Sequence, residues 1–186
     1  MKIFSRQNTP SSHGSALVET IVAIFILVSA ITAAFGVAAS GISAGGFARD
    51  NVTAFYLAQD AIEYIKNVRD TNAIQGLPWL SGITDNCASG QNCTVDTVNE
   101  SIMACVGACP FLNKDTNDVY SYTAGSANSK FRRIIQITPV LGSSVEVQIA
   151  VTVSWAKGSF TTGAFTTREI IFDWYNAIVN PTFEEI

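Results

Sequence analysis

Hydrophobic and polar positions fall into three regimes along this chain. From Thr20 to Ala48 there is no charged residue, and Thr20–Ala39 (TIVAIFILVSAITAAFGVAA) is apolar almost throughout. About 20 such residues, rising about 1.5 Å each, span the roughly 30 Å hydrocarbon core of a bilayer. This stretch predicts a membrane helix near the N-terminus. No proline interrupts Ser15–Asp70, so one helix is expected to run on past the apolar segment. Gly36, Gly41, Gly45 and Gly46 weaken it, each by about 0.8–1 kcal/mol relative to Ala, and Gly45-Gly46 is the expected bend. Ala30, Ala34, Ala38, Gly41 and Gly45 form a row of small residues whose spacing lets membrane helices approach closely. A generic Ala-rich membrane helix shows the same row.

Past Arg49 the pattern becomes one-faced. Val52, Phe55, Ala58, Ile62 and Ile65 recur at steps of three and four, with Asp50, Gln59, Asp60, Glu63, Lys66 and Asn67 elsewhere on the wheel. This predicts an amphipathic helix over 49–70 lying on a core, with Glu63–Lys66 and Lys66–Asp70 pairing along its exposed side. Residues 71–129 are rich in Gly, Asn, Ser and Thr and read as turns and long loops. Strands come last: Phe131–Pro139, the strictly alternating Val145–Trp155, and Thr166–Tyr175. The expected fold class is α+β: a long N-terminal helix, half membrane and half amphipathic, packed on a C-terminal antiparallel sheet of about three or four strands.

Composition narrows the function classes. Hydrophobic residues make up 48% and charged residues 14%, against roughly 25% charged in ordinary soluble domains. A disordered chain does not look like this. The net charge of −4 leaves no basic footprint, so no nucleic-acid partner is expected. The single histidine is His13, which removes Ser-His and Cys-His systems from the rest of the chain. No phosphate-binding loop, dinucleotide fingerprint or H-E-x-x-H motif occurs. Glu184-Glu185 lies on a terminal tail. Arg132-Arg133 opens a strand and reads as a solvated edge rather than an anion site. The expectation is a chain that is not an enzyme and carries no cofactor.

Four cysteines, Cys87, Cys93, Cys105 and Cys109, fall in the loop region. An even count in an exported domain reads as two disulfides. Three connectivities are open, the local pairs Cys87–Cys93 and Cys105–Cys109 being the first expectation, with the role of constraining loops that lack a deep core. A zinc site is the competing reading, but the spacings do not suit it. Asp115, Asn117 and Asp118 present hard oxygen atoms that suit calcium. Lys114 and the missing distal Glu favour a solvated turn instead.

Glu19 is the residue that a plain anchor does not explain. A carboxylate costs about 2.5–3.5 kcal/mol at a membrane-helix centre and less near an interface. One reading is that it marks the interfacial end of the helix. The other is a functional intramembrane acid with a cationic partner. The surrounding motif favours the second. A short polar leader, MKIFSRQNTPSSHG, carries Lys2 and Arg6 and ends at Gly14; Glu19 is the fifth residue after it, and the apolar helix follows. This arrangement resembles the processing site of type IV prepilins and pseudopilins. Ser15 stands where that family usually has Phe or Met. Leu57–Glu63 with Asn67–Asp70, and the Trp-bearing Val153-Ser154-Trp155 and Phe172-Asp173-Trp174, resemble the V-type minor pilins of type IV pili and the I-type minor pseudopilins of type II secretion.

The resemblance implies a pilin-like fold and the following organisation. Residues 1–14 are a leader cut by prepilin peptidase after Gly14; 15–48 are the transmembrane and assembly helix; 49–186 are the globular domain, with its loop region at 71–129, sheet at 130–176 and tail at 177–186. Ser15 becomes the new, N-methylated terminus, and its amine pairs with Glu19 of a neighbouring subunit, cancelling two charges that are costly to bury. The implied partners are prepilin peptidase, other pilin or pseudopilin subunits, the inner-membrane assembly platform and membrane lipid. The N-terminus is expected in the cytoplasm, following the basic residues, and the domain outside it. The alternative is a single-pass, membrane-anchored binding or adhesin domain that keeps residues 1–14 and has no need of Glu19. Cleavage as a long signal near Gly41 is a third, less favoured route.

Overall fold

The computed structural model describes residues 13–123, 127–157 and 161–175. Most of the expected leader, the tail at 177–186 and the turn at 124–126 lie outside the described residues. In chain order the elements are α1 (His13–Gln75), β1 (Cys93–Asp96), β2 (Ser101–Ala104), β3 (Asn113–Lys114), β4 (Tyr120–Ser121), β5 (Ala127–Asn128), β6 (Phe131–Pro139), β7 (Glu146–Lys157) and β8 (Thr161–Phe172). The fold is α+β. Contacts divide the chain into two units, Met1–Gly46 and Phe47–Ile186.

Helix α1 is helical through Gly45-Gly46, where a bend was expected, and it continues past the expected end at Asp70. It stops at Gly76, whose φ of 68° places it in the left-handed region open to glycine. There the Leu77 N–H donates to Asn72 O at 2.9 Å and the Gly76 N–H to Ala73 O at 3.3 Å. This is the glycine-terminated cap that satisfies the last helical carbonyls, and Pro78 follows it.

In the second unit, the helix face that meets the core is Ala54, Leu57, Ala58, Ala61, Ile62 and Ile65. Val52 and Phe55, expected on that face, are instead exposed at 54% and 42%. The face is turned toward the alanines because small side chains let the helix axis sit close to the sheet. Lys66 also departs from expectation: it pairs with Glu169 on β8 rather than along the helix.

The main sheet has five strands in the order β2-β1-β6-β7-β8, all pairs antiparallel. Val147, Ile149, Val151, Val153 and Trp155 line its inner face on β7, with Phe131, Ile135 and Ile137 on β6. Each strand inner face thus follows the period of two. Five short strands correct the loop reading of 71–129. β1 and β2 form a short hairpin that joins the sheet through β6, and β3, β4 and β5 make a separate three-stranded sheet in the order β4-β3-β5. β8 starts at Thr161, earlier than expected. Its Gly163 lies directly opposite Trp155, so the indole can fold over a position without a side chain.

Candidate functional site

The first unit is described from the helix alone. Its most apolar window has a mean hydropathy of 2.6 and none of that window is buried by the chain itself. A core helix of a soluble domain buries most of such a window; this one is bare, and it is long and apolar enough to cross a membrane. Every hydroxyl from Thr20 to Ser40 donates back to a helix carbonyl: Thr20 to Leu17 O at 2.9 Å, Ser29 to Phe25 O at 2.6 Å, Thr32 to Val28 O at 2.8 Å and Ser40 to Gly36 O at 2.9 Å. Those polar groups are satisfied internally, as hydrocarbon surroundings require. Glu19 is not. It is exposed near the start of α1, and among the described residues it has no hydrogen bond or ion pair. Gly14 and Ser15 lie in helical backbone just before it, with Ser15 exposed.

The four cysteines close as Cys87–Cys93 and Cys105–Cys109. Cys87 and Cys93 are fully buried and belong to the main core, so this bridge does more than constrain a loop: it fastens the segment after α1 to β1. The second bridge lies beside the first, since the Cys105 N–H donates to Asn92 O at 2.8 Å. At the Asp115–Asp118 segment, expected as a solvated turn rather than a calcium site, Asp115 Oδ1 accepts the backbone N–H of Asn117 and of Val119, each at 2.8 Å. Asp118 pairs with Lys114 at 2.7 Å and adopts a φ of 66°. The carboxylates there are committed to shaping a tight turn.

Arg133 corrects the sequence reading most sharply. It is fully buried rather than a solvated edge residue. Its guanidinium donates to Leu57 O at 2.8 Å and to Asp60 Oδ2 at 2.9 Å, both on α1, and to Val95 O on β1. One cation thus fastens three elements together. Asp60 also accepts from Thr97 Oγ1 at 2.9 Å. Next to it Asp96, only 2% exposed, accepts the N–H groups of Val98 and Asn99, each at 3.1 Å, the Asn99 amide at 2.7 Å and the Tyr122 N–H at 2.9 Å. Burial alone raises the Asp96 pKa, but the Asn99 amide and the three backbone donors outweigh it and hold the carboxyl below its usual range. Burial pushes the Tyr122 hydroxyl up, partly opposed by Arg133. The hairpin turn after β1 thus stands rigidly beside α1, and the two enclose a groove of 560 Å³ whose walls include Asp60, Glu63, Tyr64, Asn67 and Glu100.

Sequence reasoning missed Arg133 and Asp96. A signal existed for each: Arg133 shares the inward parity of Phe131, Ile135 and Ile137, and Asp96 stands three residues before Asn99, as in side-chain-capped turns. Compared with protein-family models, with curated proteins and with solved structures, the chain matches none.

Proposed function

We propose that this chain is a structural subunit, a minor pilin or pseudopilin, that is processed after Gly14 and assembles into or primes a type IV pilus-like filament. Glu19 carries this reading: an acid without a partner among the described residues, placed near the start of an otherwise self-satisfied apolar helix. Such an acid in lipid calls for a cation from elsewhere. The α-amine of a neighbouring subunit, created by cleavage before Ser15 and N-methylated, supplies it. The bare apolar surface of the same helix supports the reading, since a filament core of packed helices covers it when the subunit leaves the bilayer. Prepilin peptidase, the inner-membrane assembly platform and sister subunits are the corresponding partners. The subunit resides in the membrane with its N-terminus cytoplasmic until it enters the filament.

The test is the intact mass and N-terminal sequence of the membrane-extracted protein, made with and without a prepilin peptidase. A chain that starts at methylated Ser15 only when the peptidase is present supports the reading. A chain that starts at Met1 under both conditions refutes it in favour of an anchored binding domain. A start near Gly41 makes the apolar run a long signal.

A further inference from the structure

β8 is the last strand of the main sheet, and its outer edge has no strand beside it among the described residues. We propose that this edge binds an extended segment of another protein, one that carries a carboxylate opposite Arg168 and apolar side chains opposite Ile170 and Phe172. The edge lies in the second unit and does not depend on the filament reading.

The register shows which backbone groups face outward. In an antiparallel ladder, residues that exchange hydrogen bonds alternate with residues that do not. The Val140 N–H donates to Glu146 O at 3.1 Å, and the Asp173 N–H donates to Val145 O at 3.0 Å. Even positions of β7 therefore bond toward β6 and odd positions toward β8. Continued along the β7–β8 register, this turns the N–H and C=O groups of Thr162, Ala164, Thr166, Arg168, Ile170 and Phe172 away from β7. No backbone bond from the described residues reaches them. The side chains of the same residues are exposed. At 12 residues β8 is long, and its pairing with β7 has neither a bulge nor a proline. Those devices commonly blunt a sheet edge. The opposite edge strand, β2, is protected by its length of only 4 residues. An open edge pairs with an extended peptide, main-chain bonds supplying affinity and alternate side chains supplying specificity.

Charge selects the occupant. Arg168 has no acid or hydrogen-bond partner among the described residues, and its neighbour across the strand is Ala150. Glu169 points to the other face, where Lys66 pairs with it. Beside Arg168, Ile170 is 52% and Phe172 49% exposed. A second copy of β8 suits this surface poorly. When two copies pair over the whole strand through their outward groups, Thr166 of one lies opposite Arg168 of the other. The two Arg168 side chains then stand as diagonal neighbours, about 7–8 Å apart on one face, and like charges repel. A strand with a carboxylate at that position gains an ion pair instead, and its apolar residues cover Ile170 and Phe172.

The test is hydrogen exchange, followed by NMR, at the amides of Ala164, Thr166, Arg168 and Ile170 in the full chain in maltoside micelles. The probe is a nine-residue peptide with Glu at its centre, Val at its first and third positions and Thr elsewhere. The same peptide with a central Lys is the control. At about 1 mM Glu peptide those four amides are expected to exchange about 10-fold more slowly, as for a dissociation constant of about 0.1 mM. The Thr167 and Glu169 amides, already bonded to β7, are expected not to change. The Lys peptide is expected to bind about 3- to 10-fold more weakly. Arg168→Glu, an exposed change that leaves the fold intact, is expected to reverse the preference. No added protection, equal protection by both peptides, or an unreversed preference in the Arg168→Glu chain overturns the proposal. So does protection already present without peptide. Its loss on dilution makes the occupant a second copy, and its loss in a chain ending at Tyr175 makes the occupant residues 176–186.

Discussion

Gly163→Ala, a change that ordinarily strengthens a strand, is expected to destabilise this one. Relative to Gly, Ala gains roughly 0.5–1 kcal/mol in a strand interior by lowering the entropy of the unfolded chain. At Gly163 that gain is overrun. A Cβ built there lies 2.8 Å from Trp155 Nε1 and closer still to Cε2 and Cζ2. The indole is 2% exposed and packs against Phe47 and Phe131, ring centroids 5.7 and 6.1 Å away, so its retreat costs contacts. Overpacking of this kind costs about 1–3 kcal/mol, and contact with rigid ring atoms belongs at the upper end. The net expectation is about 2 kcal/mol of destabilisation. Trp155→Leu alone costs about 3 kcal/mol through the space it opens; it takes away no hydrogen bond seen among the described residues, where the buried indole N–H has no partner. In that background Gly163→Ala meets open space and becomes neutral or slightly stabilising, so the double-mutant cycle returns a coupling of about 2–3 kcal/mol. The assay is urea unfolding of the full chain in detergent, followed by tryptophan fluorescence, with the slope unchanged across the four proteins. Additivity within about 0.5 kcal/mol, or a Gly163→Ala protein as stable as its parent, refutes the argument.

Three further outcomes are expected. Glu19→Ala is expected to leave membrane insertion intact while filaments disappear from the sheared fraction; undiminished filament yield removes Glu19 from assembly. Arg133→Ala is expected to cost about 3–5 kcal/mol because it strips α1 and β1 of a shared buried donor, with Asp60→Asn costing less since the Asp60 side chain is 46% exposed and partly screened; equal costs in chemical denaturation contradict the strut. Because the folded-state pKa of Asp96 is depressed, the folded protein binds fewer protons there than the unfolded one, so its contribution is complete above the unfolded value near pH 4 and is lost as pH falls through the lower folded value. Asp96→Asn therefore flattens the acid limb of the stability curve below about pH 4, and an unchanged limb in acid titration assigns that loss to other carboxylates.

What could be read from the sequence depended on whether a residue's surroundings are local. The apolar run Thr20–Ala39 and the alternation of Val147 through Trp155 need only a period and a length, and both stand in the structure as read. The helix face did not follow from size alone. Val52 and Phe55 outrank Ala54 and Ala61 in hydrophobicity, yet the sheet selects the alanines because they permit close approach, a choice made by a partner remote in sequence. Short strands β1 and β2 have too few residues to show a period; their pairing is supplied by β6 and by the Cys87–Cys93 bridge. The helix end was legible in Gly76 and Pro78 but was overridden by the fading of amphipathicity after Asp70. Arg133 was misread for a different reason. Its charge was weighed above its parity, although Phe131, Ile135 and Ile137 already place position 133 inward. A buried cation is expensive in isolation, and the carbonyls of Leu57 and Val95 together with the Asp60 carboxylate, all far away in the chain, make it acceptable.

Glu19 reverses that relation. Arg133 is explained once the chain is folded, because its partners are on the chain. Glu19 is as anomalous in the folded chain as in the sequence: the hydroxyls around it find helix carbonyls, and it finds nothing among the described residues. An acid whose cost folding does not relieve is either tolerated at an interface or relieved by assembly. The two alternatives separate in the Glu19→Gln protein, which keeps the shape and hydrogen-bonding capacity and loses the charge. Interfacial tolerance makes that change silent. Pairing with a neighbour's terminal amine makes it nearly as damaging to assembly as Glu19→Ala, because what remains is an unpaired ammonium in a dry bundle, which is the costly half of a broken ion pair.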